Sequence, residues 1–239
     1  YRSGLNTSMV EHLKELTLLG RAWRPLRQGE LVLDIGSNDG TLLGHFAPGE
    51  QRLLGIDPLA AKFAQHYRPD IERASEFFSA EAYARVAGAS KAALVFSIAM
   101  FYDLPDPCAF ACAVHDALAP DGVWVLEQGY LLALLSGAFD SICHEHTEYY
   151  SISSLTRILA SAHFKILEIC LTTTNGGSFI VVAARDDSPN YARIHTDTWL
   201  EAERSYDVPT GFRKLAERVA STRAATLQML EQARMAGRL

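Results

Sequence analysis

The sequence predicts an α/β fold, a mostly parallel seven-stranded sheet with helices on both faces. Short apolar runs at 31–34, 52–57, 92–97 and 122–127 alternate with stretches of helical spacing, the rhythm of parallel strands joined by helical crossovers. Ala92–Phe96 and Val123–Leu126 are apolar without alternation, as strands buried on both faces must be. The run Leu31-Val32-Leu33-Asp34 feeds a glycine-bearing turn, as at the head of a strand–turn–helix unit.

Residues 1–28 open the chain with a helical pattern. Met9, Leu13, Leu16, Leu18 and Leu19 lie on one side, with Glu11, Lys14 and Glu15 between them, and Pro25 ends it. Strands follow at 31–34, 52–57, 71–75, 92–97 and 122–127, with helices near 41–46, 59–67, 80–87 and 107–118. After Glu127 come an apolar Leu131–Leu135 and a helix over Ser151–His163, opened by Ser151 or Ser153. Ile166–Leu171 and Ser178–Ala184 are the last strands. Asn175-Gly176-Gly177 turns between them, which predicts a hairpin at the sheet edge. Asp186–Asn190 is polar and turn-rich. Residues 193–239 carry helical spacing at Leu215, Val219, Leu227 and Leu230 without a core of their own, so they are expected to pack on the domain that precedes them or on a part outside this chain. The expected organisation is a helical lead-in at 1–29, a ligand-binding domain at 30–186 and a helical segment at 187–239 that opens a further domain.

The chain has 239 residues, 49% hydrophobic and 21% charged, enough to bury a core without staples. A net charge of −6 disfavours a sequence-independent nucleic-acid binder, which needs a basic face. No stretch reaches a membrane span and no signal peptide opens the chain, so the cytoplasm is the expected compartment. Cys108, Cys112, Cys143 and Cys170 form no C-x-x-C pair, so no metal knuckle or disulfide framework is expected. Cys108 and Cys112, four apart on a helix, are expected to be small buried residues.

The turn after the first strand reads D-x-G-x-x-x-G, with Asp34, Gly36 and Gly40, where a dinucleotide site reads G-x-G-x-x-G. Both glycines permit positive φ and close approach of a ligand, and a following helix N-terminus offers unpaired N–H groups to an anion. Asp57 ends the second strand 23 positions after Asp34, where a carboxylate accepts hydrogen bonds from both ribose hydroxyls. The string resembles the first motif of class I S-adenosylmethionine-dependent methyltransferases. It assigns Asp34, Gly36, Ser37, Asn38, Gly40, Asp57 and Pro58 to the methyl donor. Ser97, closing the fourth strand, joins them. Glu76-Phe77-Phe78 after the third strand stands where an adenine lies, with a phenylalanine to stack on it and Glu76 near its amine; the competing reading is a core pair.

Tyr102, in the loop after the fourth strand, either orients a substrate hydroxyl and contacts the sulfonium or is a partly buried loop aromatic. The densest cluster is Cys143-His144-Glu145-His146-Thr147-Glu148-Tyr149-Tyr150. It admits three readings: a metal site on His144 and His146, a hydrogen-bonded structural cluster, or acid–base catalysis. In the third, a histidine removes a proton next to a carbonyl, a carboxylate orients it, and Tyr149 and Tyr150 hold the enolate oxygen.

The strings YRSGLNTSM (1–9), LDIGSNDGTLL (33–43), GIDP (55–58), ICHEHTEYYS (142–151) and NGGSF (175–179) resemble the sugar C-methyltransferases, which methylate C3 of a nucleotide-linked keto-deoxysugar. The resemblance spans roughly residues 1–185. It implies His146 as the base, Glu145 as its supporting carboxylate, and Tyr1, Tyr102, His144, Tyr149, Tyr150 and Asn175 near the sugar. S-adenosylmethionine is the implied donor and S-adenosylhomocysteine the product, with no metal in this chain. Where relatives usually carry a His and a Tyr, this chain has Tyr102 and Cys143, which puts the sugar's identity in doubt. Relatives also carry an N-terminal zinc-binding module and a further C-terminal α/β domain, so this chain is expected to be their central part. A small-molecule O- or N-methyltransferase, or a donor-binding module without catalysis, are the other readings of the same fold.

Overall fold

The computed structural model describes residues 2–238. Seven strands form one sheet: β1 Leu31–Ile35, β2 Arg52–Ile56, β3 Ile71–Ala74, β4 Ala92–Ile98, β5 Leu118–Gly129, β6 Phe164–Thr172 and β7 Ser178–Arg185. Their spatial order is β3-β2-β1-β4-β5-β7-β6. The first five are parallel; β7 runs antiparallel to both β5 and β6, the hairpin expected from the Asn175-Gly176-Gly177 turn. The strand order reverses between β1 and β4, and ligands of such sheets lie beyond the carboxyl ends of the strands there.

Both faces of the sheet are covered. Leu33, Ile35, Val95, Trp124 and Leu126 pack beneath α2 Ala80–Ala87, α3 Pro107–Ala117 and α5 Ile152–Ser161. On the other face Val32, Leu94, Phe96 and Val125 pack beneath α1 Thr7–Trp23. At Gly20 the helix lies so close that a Cβ would stand 2.9 Å from Phe96. The helix starts follow from side chains that take orphan N–H groups: Asn6 for α1, Ser79 for α2, Asp106 with Pro107 for α3, Ser151 for α5. The Ile152 and Ser153 amides at the start of α5 also donate to Glu203. That carboxylate comes from α6 Asp197–Arg204 and ties the C-terminal segment to the sheet. Leu215 of α7 Val208–Met235 packs on Leu134 and Leu135 of α4 Leu131–Ser136; Gly211 and Leu215 are the buried residues of α7.

Three expectations are corrected. The stretches 41–46 and 59–67 are turns ending in short 3₁₀ pieces at Leu43–His45 and Ala64–His66. Within 59–67 only Ala60 and Tyr67 are buried, too few anchors for a short helix that depends on packing. Cys108 and Cys112 lie on the outer side of α3 and are exposed, because Phe110, Ala111 and Val114 take the inner side. Among the described residues no helix is long and apolar enough to cross a membrane.

Candidate active site

The turn after β1 is built for close approach. Gly36 and Gly40 both sit at φ +76°. A Cβ on Gly36 would stand 3.1 Å from Met100, and one on Gly40 2.7 Å from the Tyr67 ring. The Tyr67 hydroxyl locks the turn from outside, 2.7 Å from Ser37 Oγ and donating to the Asn38 carbonyl at 3.1 Å. Asp57 is oriented by backbone: its Oδ2 accepts from Asn38 N at 2.9 Å and its Oδ1 from Leu59 N at 2.6 Å. No regular helix follows, so the expected helix N-terminus is replaced by the N–H groups of the turn itself. Asp39, not singled out from the sequence, is 3% exposed. It accepts from Gly4 N at 3.0 Å while Ser3 N donates to Asn38 at 3.0 Å, so the first residues strap the turn.

This turn forms one wall of a cavity of about 700 Å³. Asp34, Gly36, Ser37, Asn38 and Asp57 line it on the β1–β2 side; Ile98, Ala99, Tyr102 and Asp103 line it beyond β4. Cys143, Glu145 and His146 close the far side, and Asn175 comes from the β6–β7 turn. Three non-glycine residues of this lining hold left-handed backbone: Asn38 (φ 50°), Ala99 (φ 53°) and Asn175 (φ 52°). Strain of this kind, roughly 1–3 kcal/mol each, gathers at functional sites.

The loop after β4 and the segment carrying His146 are tied together. The Tyr102 carbonyl accepts from Thr147 N at 3.1 Å, Glu148 N at 3.2 Å and Thr147 Oγ1 at 3.0 Å. The Tyr102 and His146 rings consequently pack with centroids 4.1 Å apart. Tyr149, 6.3 Å from His146, lines an adjoining cleft that shares Tyr102, His146 and Asn175.

The electrostatics are acidic. Burial, with the charges of Asp57 and Asp39 adding, pushes the Asp34 carboxyl up to about 8. Partial burial pushes Asp103 up to about 6, His146 opposing and Glu145 reinforcing the shift. Among the described residues lining the cavity there is no Lys or Arg. A wall of carboxylates without cations suits a sulfonium donor that also carries an ammonium, and the glycine turn leaves it room.

Not every expected residue reaches the cavity. Tyr1 lies outside the described residues. Pro58 and His144 are exposed and do not line it. Gly40 shapes the turn from behind, against Tyr67. Ser97 is fully buried and accepts from Trp124 Nε1 at 2.9 Å. Glu76 pairs with Arg85, Phe77 is 80% exposed, and Phe78 packs against Phe110 at 5.3 Å; none of the three lines the cavity. Phe78 thus follows the core reading. Tyr150 is 4% exposed in the core, 5.4 Å from Phe101, and presents no phenol to the cavity. Among the described residues no group of three metal-ligating side chains converges, so His144 and His146 find no third ligand.

The sequence reading also missed His12 of α1 and Glu127 of β5, joined at 2.6 Å with the carboxylate 1% exposed. The available signal was a Glu at the carboxyl end of a fully apolar strand.

Comparison with known proteins agrees with this fold. The family model described as a methyltransferase domain matches residues 9–169. The C-methyltransferase NovU of Streptomyces niveus is 30% identical over 203 residues, covering 84% of this chain and 48% of NovU. The chain therefore spans about half the length of that curated relative. Among solved structures, a Haloferax volcanii methyltransferase in complex with the Trm112 activator superposes with TM-score 0.59 at 13% identity, over 76% of this chain and 94% of that one. The N-methyltransferase NodS of Bradyrhizobium japonicum WM9, with S-adenosyl-l-homocysteine, gives TM-score 0.54 at 17% identity over 76% and 89%. At such identities the likeness is one of fold. With the family model covering most of the sheet and the glycine turn, the chain belongs to the methyltransferase-domain family.

Proposed function

We propose that the enzyme methylates a carbon next to the carbonyl of a nucleotide-activated keto-deoxysugar, with His146 as the general base. The observation that carries the reading is that His146 and the glycine turn line the same cavity. The 30% identity to a C-methyltransferase and the HEH-x-x-YY string lend support.

Asp57 is placed to take the ribose hydroxyls, Gly36 and Asn38 to pass close to the donor, and Asp34 to meet its positive charge. Bound S-adenosylmethionine supplies an activated methyl group on sulfur for in-line displacement by the acceptor carbon. The chain's own task is to make that carbon nucleophilic and to aim it. A neutral His146 takes the proton α to the carbonyl. Tyr102, packed on the His146 ring, fixes its orientation, and Glu145 stabilises the imidazolium that forms. Asn175 and Tyr149 are placed to hold sugar hydroxyls.

His146→Asn is expected to lower kcat by about 100-fold or more, with S-adenosylhomocysteine affinity near wild type in calorimetry. Deuterium at the sugar carbon should wash out in wild-type enzyme and not in the variant. Equal wash-out in both removes His146 from the mechanism, and its absence from a wild-type enzyme that still transfers methyl points to an O- or N-acceptor.

A further inference from the structure

Enolate formation needs an electrophile at the carbonyl oxygen as well as a base. The phenol of Tyr150 is in the core, and the cavity wall offers neither Lys nor Arg among the described residues. The pair His12–Glu127, with Glu127 1% exposed and His12 only partly buried, stands just behind the cavity lining, where three wall segments meet. His12 shares the α1 face of Met9 and Leu13, both in the cavity lining. Glu127 is in register with Ile98, and its carbonyl accepts from Ala99 N at 2.8 Å. The other imidazole nitrogen, Nδ1, lies 3.5 Å from Thr174 Oγ1, beside Asn175. That contact is too long to commit its proton.

We propose that His12, held as an imidazolium by Glu127, donates a hydrogen bond from Nδ1 to the acceptor's carbonyl oxygen as the α-proton leaves for His146. The assignment rests on the carbon-acid reading above and adds a second catalytic residue to it. The balance is simple. The C–H pair becomes the enolate π bond, its proton goes to His146, and charge collects on the carbonyl oxygen facing His12. On methyl transfer the carbonyl re-forms and His12 keeps its proton.

Chemistry at the two nitrogens demands the charged form. Nε2 is 2.6 Å from Glu127, so with Nε2–H donated there, Nδ1 bears a proton only in the imidazolium. The hydrogen bond to Glu127 raises the His12 pKa, burial opposes, and the charges of Glu127 across on β5 and Glu15 on its own helix raise it further. Thr174, facing from the β6–β7 turn, has no charge. An ion pair with only one partner fully buried is weak evidence of stabilisation, whereas one oxyanion donor contributes on the order of 100- to 1,000-fold in rate. Glu127 Oε1 also has no partner among the described residues, as a group organised for charge rather than for packing.

The test is deuterium wash-out from C3 of dTDP-4-keto-6-deoxyglucose, with S-adenosylhomocysteine bound, followed by NMR across pH. His12→Gln is expected to slow exchange by at least 30-fold or so and to keep S-adenosylhomocysteine affinity within about twofold, which reports an intact fold. Wild-type exchange should fall as pH rises through the raised His12 pKa. Glu127→Gln should move that fall to lower pH, and His12→Gln should lack it. Wild-type exchange with unchanged rate and pH profile in His12→Gln overturns the role of His12 alone. So does a slowed His12→Gln that keeps the alkaline fall. No wild-type exchange removes the carbon-acid reading, and this assignment with it.

Discussion

Asp34 shows how a single residue joins fold to chemistry. It stands one residue before the end of β1 at 3% exposure, with a carboxyl pushed up to about 8, so at neutral pH it is mostly protonated before donor binds. Its folded pKa lies above the unfolded value of about 4. The stabilisation this brings is complete below that value and is lost as pH rises through about 8. A cationic donor favours the carboxylate instead, so binding should expel a proton. Calorimetry of S-adenosylmethionine binding near neutral pH, in buffers of different ionisation enthalpy, should show release of up to one proton, and Asp34→Asn should abolish it. Buffer-independent heats in the wild type would contradict this. The same scale explains what single residues concealed. His146 and Tyr102 announced themselves in dense local motifs. His12 and Glu127 are 115 positions apart and meet only through the packing of α1 on the sheet. Tyr150 shared a motif with His146, yet the parallel bridge it makes with Tyr130 turns its ring inward toward Phe101.

At the scale of elements, the glycine turn depends on a residue from outside it. Tyr67→Phe removes the contacts with Ser37 Oγ and the Asn38 carbonyl without changing the ring. A loss of about 1–2 kcal/mol follows, or roughly 2–8 °C in Tm for a chain of this size. Donor affinity should fall several-fold, because Ser37 and Asn38 line the cavity. An unchanged melting curve would show that the turn holds itself. All seven strands were legible: the central ones are apolar runs buried on two faces, a signal that does not depend on partners, whereas β3, with Glu72 and Arg73 exposed, left the faintest trace. So were the capped helices α2, α3 and α5. The stretches 41–46 and 59–67 misled because their apolar spacing was helical: 59–67 buries only Ala60 and Tyr67, too few to hold a short helix, while 41–46 buries Leu42, Leu43 and Phe46 through a turn and a 3₁₀ piece instead.

For the molecule as a whole, the order β3-β2-β1-β4-β5-β7-β6 brings the ends of β1, β2 and β4 and the β6–β7 turn around one cavity. Parallel topology was readable from the βα rhythm. The composition of the cavity was not, because its lining comes from segments scattered between Ser3 and Asn175. The chain carries a net −6, and this wall is acidic without a compensating Lys or Arg among its described residues. On the function proposed above, a nucleotide-linked sugar would bring a doubly negative diphosphate to that entrance. The wall would then act as a filter on polarity, admitting the uncharged ring and leaving the phosphates in bulk water. Raising ionic strength from about 0.01 to 0.15 M shrinks the reach of such repulsion from roughly 30 to 8 Å. Added salt should thus lower the acceptor KM of this chain, the reverse of what a phosphate-gripping enzyme does, and a KM that climbs with salt would place cations at the door.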